Sequence, residues 1–154
     1  MNSEMKYSKI DTIDQQILNA LVDNAKISLR ELASQLKISF VTLMNRIKRL
    51  EKEGVIKHYS AIINYDKLGY DVHVMIEVRI TKGKLLALEN KLAKLPNVYA
   101  VLDTTGDFDA TIIGRFTSAR AMDNFLKKIQ AFEFIERTNT KLVLNTIKED
   151  VMKV

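Results

Sequence analysis

Apolar residues recur at helical spacing over the first sixty positions, then begin to alternate after about residue 64. Ile13, Ile17, Leu18 and Leu21 repeat at i, i+4, i+5 and i+8, which predicts a helix starting near Thr12. Asp11 and Asp14 stand where its dipole is positive. Leu29, Leu32, Ala33 and Leu36 mark a second helix after Ser28, and Ser28-Leu29-Arg30-Glu31 reads as a capping box. A short turn at Lys37-Ile38 leads to Ser39, an N-cap residue type, and to a third helix ending near Gly54. There Leu43, Ile47 and Leu50 form the inner stripe, while Thr42, Asn45, Arg46, Lys48, Arg49 and Lys52 lie on or beside the outer face.

The second half follows a period of two. Val72, Val74, Ile76, Val78 and Ile80 alternate with Asp71, His73, Met75, Glu77 and Arg79, a half-buried strand. Leu85, Leu88, Leu92 and Leu95 predict a helix stopped by Pro96. Residues 98–105 and 110–116 read as strands joined by Gly106-Asp107-Phe108-Asp109, Met122, Phe125, Leu126 and Ile129 mark another helix, and 135–147 reads as a long last strand. The order βαββαβ predicts a ferredoxin-like domain, and the whole chain an α+β fold with an N-terminal helix-turn-helix. The expected boundaries are 1–56 for the helical domain, 57–64 for a hinge and 65–154 for the sheet domain. One face of such a sheet is covered by helices, and pairing with a second copy is a natural cover for the other.

Charge adds a direction to this picture. The 154 residues carry 24 Lys and Arg against 19 Asp and Glu, net +5. From Lys37 to Lys57 the cations Lys37, Arg46, Lys48, Arg49, Lys52 and Lys57 oppose only Glu51 and Glu53, so the excess gathers on the third helix and its flanks. A capped helix, a short turn and a basic amphipathic helix are the parts of a helix-turn-helix. Arg46 and Arg49 suit bidentate hydrogen bonds, Asn45 and Thr42 reach base edges, and Lys37, Lys48 and Lys52 neutralise phosphates. The same pattern also describes a solvated basic face on a helical bundle.

The absence of cysteine excludes disulfides, thiol nucleophiles and thiolate zinc sites. No apolar run reaches the roughly 18 residues of a membrane span, and the start lacks a secretory layout, so a cytoplasmic protein without membrane contact is expected. His58 and His73 belong to no metal-spaced cluster, and no nucleotide-binding glycine loop is present, so no metal and no cofactor are expected.

Two stretches carry a family resemblance: Ile10-Asp11-Thr12-Ile13-Asp14-Gln15-Gln16-Ile17-Leu18 with Ile27-Ser28-Leu29-Arg30-Glu31-Leu32-Ala33, and the run from Ser39 to Ile56. With Gly106-Asp107-Phe108-Asp109 at the expected distance downstream, they resemble the leucine-responsive regulatory protein/AsnC, or feast/famine, family over essentially the entire chain from Ile10 to Lys148. The resemblance implies a winged-type helix-turn-helix, a hinge strand over 57–64 and a C-terminal amino-acid-sensing domain. It further implies homodimers built through the sheets and assembled into tetramers or octamers on double-stranded DNA. Thr42, Asn45, Arg46 and Arg49 are then expected in the groove, with Ser39 and Lys48 as phosphate anchors.

Effectors of the resembled family bind where dimers meet. By position, Asp103, Thr104, Thr105, Gly106, Asp107 and Asp109 would contribute from the hairpin, and Thr138 and Thr140 from the last strand. On residue chemistry alone, Asp103 or Asp109 suits an ammonium, and backbone N–H groups near Gly106 and Asp107 suit a carboxylate. A hairpin at this position also serves simply as a turn. Asp103 and Thr105 make the site polar, which favours an amide effector, glutamine or asparagine, and leaves a basic amino acid open. Two other functions compete: an architectural DNA-binding protein of little specificity, and a haem-pathway decarboxylase-like enzyme. The hairpin's lack of His and Tyr argues against the enzyme.

Overall fold

A computed structural model describes residues 9–81, 91–92 and 94–154. They form two compact units, one made of the described residues up to Ile62 together with Lys148–Val154, the other of those between Ile63 and Ile147.

The first unit holds three helices, α1 (Thr12–Asp23), α2 (Leu29–Gln35) and α3 (Phe40–Lys52). Ile17, Leu32, Ala33, Leu43, Ile47 and Leu50 make its buried centre, the residues singled out by their spacing. A capping box forms at α1: Asp14 N–H donates to Asp11 Oδ1 (2.9 Å) and Asp11 N–H to Asp14 Oδ2 (3.2 Å). The box expected at Ser28 and Glu31 does not form. Ser28 sits at the N-cap without a side-chain hydrogen bond, and Glu31 Oε1 accepts from Gln35 Nε2 instead (3.3 Å). At α3, Ser39 Oγ does accept from Thr42 N–H (3.0 Å).

The tail expected within the second domain joins the first. The Asn19 side-chain amide donates to Val154 O (2.7 Å) and accepts from Val154 N–H (2.9 Å), and Lys153 Nζ reaches Asp23 (2.8 Å). These contacts hold Lys148–Val154 against α1. Residues 57–64, expected as a strand, make no ladder among the described residues. Strand conformation is stabilised by a neighbour, and here Tyr59, Ile62 and Ile63 are exposed.

The second unit is a four-stranded antiparallel sheet: β1 (Val72–Ile80), β2 (Val98–Asp103), β3 (Ala110–Phe116) and β4 (Ile135–Leu142), in the order β2-β3-β1-β4. This is the order of the ferredoxin-like arrangement. Helix α4 (Ala119–Gln130) buries Phe125 and Ile129 against Val74, Ile76, Val78, Ile112 and Phe116. The helix expected around Leu85 and Leu88 lies outside the described residues; of its other two markers, Leu92 is fully buried in this core and Leu95 packs against it. Strand β4 stops at Leu142 rather than 147. The register that pairs Val74 with Leu142 runs out of β1 at Val72, opposite residue 144, so residues 145–147 have no partner in β1, and Val143 N–H makes the last bond, to His73 O (2.9 Å). Gly114 allows a close approach on β3, because a Cβ there would lie 2.7 Å from the Asn97 carbonyl oxygen.

Candidate DNA interface and effector hairpin

In the first unit, the α2–α3 turn depends on one residue in an uncommon conformation. Lys37 has φ +56°, the left-handed region that glycine occupies most easily. A cation is thus kept at the turn at some cost in backbone strain. Along α3, successive residues rotate by about 100°, so Leu43, Ile47 and Leu50 fall in one sector of about 60°. They are buried. Val41, Asn45, Lys48 and Lys52 fall in the sector diametrically opposite, and all four are exposed. Sequence reasoning placed Asn45, Lys48 and Lys52 there and passed over Val41, because an apolar residue is ordinarily assigned to a core.

Ser39 and Thr42 lie beside this crest at the start of the helix, both exposed, with their hydroxyls 2.8 Å apart. Arg46 and Arg49, expected at the groove, donate to the start of α1 in this structure. Arg46 Nη1 donates to both oxygens of Asp11 (2.8 and 2.7 Å) and to Asp14 Oδ1 (2.8 Å), and Arg49 Nη2 donates to Asp14 Oδ2. Asp14 is fully buried, while the two arginine side chains keep 26% and 41% exposure. The hydrogen bond from Arg46, joined by the Asp14 N–H, holds the Asp11 carboxyl below its ordinary range. The sequence pattern showed two arginines on a flank. It contained no sign that the start of α1, more than thirty residues earlier, lies against that flank.

In the second unit, the hairpin between β2 and β3 is tied down by its own polar groups. Thr104 N–H donates to Asp109 O (3.0 Å) and Thr104 Oγ1 to Phe108 O (3.1 Å), with Gly106 at φ +115°. Asp109, a candidate for an ammonium, uses Oδ2 to accept from Ile80 N–H (2.7 Å), which closes the end of β1. Asp103, Thr105 and Asp107 are exposed. The register aligns Asp103, Ala110, Val78 and Thr138 across all four strands. Three interstrand steps put Thr138 about 14 Å from Asp103. The hairpin residues are therefore brought together, whereas Thr138 and Thr140 sit on the opposite edge strand of the same chain. Thr138 Oγ1 already accepts from Gln130 Nε2 of α4 (2.8 Å), and Thr140 is exposed. Arg137, which sequence reasoning did not single out, lays its guanidinium 5.7 Å from the Phe108 ring centre.

Comparison with known proteins gives both units a counterpart. A family model described as winged helix-turn-helix DNA-binding matches residues 10–57, and one described as the Lrp/AsnC ligand binding domain matches residues 73–152. An HTH-type transcriptional regulator of Pyrococcus furiosus is 36% identical over 142 residues, 92% of this chain and 96% of that protein. The structure of Escherichia coli AsnC superposes with a TM-score of 0.89 at 29% identity, covering 96% of this chain and all of that one. The feast or famine regulatory protein of M. tuberculosis, solved in complex with L-methionine, superposes at 0.86 with 26% identity, covering 93% and 97%.

Proposed function

Since the chain belongs to the Lrp/AsnC family of helix-turn-helix transcriptional regulators, we propose that it binds specific double-stranded DNA sequences through α3 and takes an amino-acid effector in its C-terminal unit. The exposed crest of α3 carries this reading. Asn45 is set to read a base edge, Thr42 supports it from the side, and Ser39, Lys37, Lys48 and Lys52 meet phosphates. Arg46 and Arg49 act through α1: by clamping Asp11 and Asp14 they fix the angle at which the crest is presented. A dimer would offer two such helices to half-sites one or more helical turns apart, about 34–36 Å per turn.

For the effector we favour a polar amino acid, glutamine or asparagine. Asp103, Thr105 and Asp107 surround the hairpin with acceptors, and an aliphatic side chain would strip them of water without replacing it. The distance across one sheet is too great for one small ligand to touch both Asp103 and Thr138. A site using Asp103 together with Thr138 requires the two from different subunits, which makes the ligand a link between dimers. Ligand binding that favours one assembly then changes the spacing of the α3 helices and with it DNA affinity. The M. tuberculosis relative was solved with methionine, so a thioether effector is the second reading.

Selection of bound sequences from random DNA, with and without an amino-acid mixture, tests both parts. Enrichment of a defined motif is expected, with affinity altered by glutamine or asparagine in follow-up calorimetry. No enrichment would leave an architectural protein, and binding of methionine but neither amide would discard the polar effector.

A further inference from the structure

Val41 is two-thirds exposed (66%) on the outermost line of α3, directly opposite the buried stripe. This placement contributes little to folding. A β-branched residue is a poor helix former, and an exposed one gains almost nothing from burial. Its neighbour Phe40 lies 5.9 Å from the Arg30 guanidinium, whereas Val41 is followed along the crest by Asn45, Lys48 and Lys52. A methyl pair thus stands in a strip of cations and an amide, on the first turn of a helix whose charge suits a polyanion. The thymine C5-methyl is the apolar feature of the major groove, and first-turn residues of recognition helices meet base edges.

We infer that Val41 is a specificity-determining residue that reads the C5-methyl group of thymine. The inference rests on the DNA-binding reading above and deepens it: the bound sequence carries thymine at one or two fixed positions under the start of α3. Polar residues there report hydrogen-bond patterns. Val41 reports a methyl group, and so separates thymine from cytosine at those positions by shape and apolar contact. Lys48 and Lys52 hold the helix on the backbone without sequence preference.

The test uses the full chain and a duplex enriched by the random-DNA selection. Each thymine is replaced in turn by deoxyuridine, which lacks only the methyl group, and affinity is measured at fixed salt for the wild type and for Val41→Ala. Alanine favours the helix and Val41 is exposed, so the variant retains the fold. For the wild type, one or two replacements should weaken binding roughly three- to five-fold each, as the loss of one methyl contact implies. Val41→Ala should bind the thymine duplex more weakly by a similar factor, respond little to deoxyuridine, and keep the same salt slope. A wild type indifferent to every replacement, or a Val41→Ala variant as sensitive as the wild type, overturns the inference while leaving specific DNA binding intact. Failure to enrich any sequence overturns both.

Discussion

Replacing Asp14 by Ala probes the contact on which the presentation of α3 depends. Asp14 is fully buried and accepts from Arg46, from Arg49 and from the Asp11 N–H. Hydrogen bonds to charged groups contribute about 1.5–3 kcal/mol each. The two arginines are partly exposed and turn towards water once released, and Arg46 keeps Asp11, so that sum is reduced. Loss of the reciprocal half of the capping box adds about 0.5–1 kcal/mol. We expect Asp14→Ala to destabilise the first unit by about 2–4 kcal/mol, and Asp14→Asn by less. Because the change is expected in the first unit alone, the readout is hydrogen exchange of α1 and α3 amides across a urea series. A double-mutant cycle with Arg46→Met should give a coupling of at least about 1 kcal/mol. Arg49 still holds Asp14 in Arg46→Met, so at a temperature where that variant is folded its preference between cognate and random DNA should persist. A stability change below about 0.5 kcal/mol for Asp14→Ala would refute the clamp. So would an Arg46→Lys variant of unchanged stability that lost discrimination, because Arg46 would then leave α1 for a base.

Lys37→Gly should leave stability within about 1 kcal/mol, since relief of left-handed strain offsets the added freedom of the unfolded chain. The same variant should weaken binding to all sequences and lower the salt slope by about 0.9 in titrations at several ionic strengths; an unchanged slope would remove Lys37 from the phosphate contacts. Gly114→Ala should cost about 1–3 kcal/mol in urea unfolding of the second unit, because the new methyl meets the Asn97 carbonyl oxygen at 2.7 Å; wild-type stability would contradict the close approach. Glu77 accepts from Lys141 Nζ (2.6 Å) and Asn139 Nδ2 (2.7 Å), which hold its carboxyl below the ordinary value of 4.5. Its folded pKa is lowered, so its contribution is present above the unfolded value and fades as pH falls through the folded one. The stability gap between wild type and Glu77→Gln should therefore be largest near neutrality and shrink in denaturation curves taken at progressively acid pH. A gap that widened on acidification would reverse the assigned sign.

The relation of chain to fold divides along the range of the forces involved. Burial of one face imposes a period of 3.6 or 2, which a dozen neighbouring residues display; the stripes Leu43, Ile47, Leu50 and Val74, Ile76, Val78 were therefore readable in order along the chain. The basic bias of α3 was readable for the same reason. Side-chain partners distant in sequence were not. Whether a carboxylate caps its own helix or binds an arginine on another depends on which backbone lies next to it. Asp11 and Asp14 do both, and Ser28 with Glu31 does neither. The end of β4 was decided by where β1 begins, and the placement of the last residues by an amide on α1. Val41 shows the same division at the proposed interface: its hydrophobicity is a property of the residue, but its exposure follows from how three helices bury the opposite side of α3.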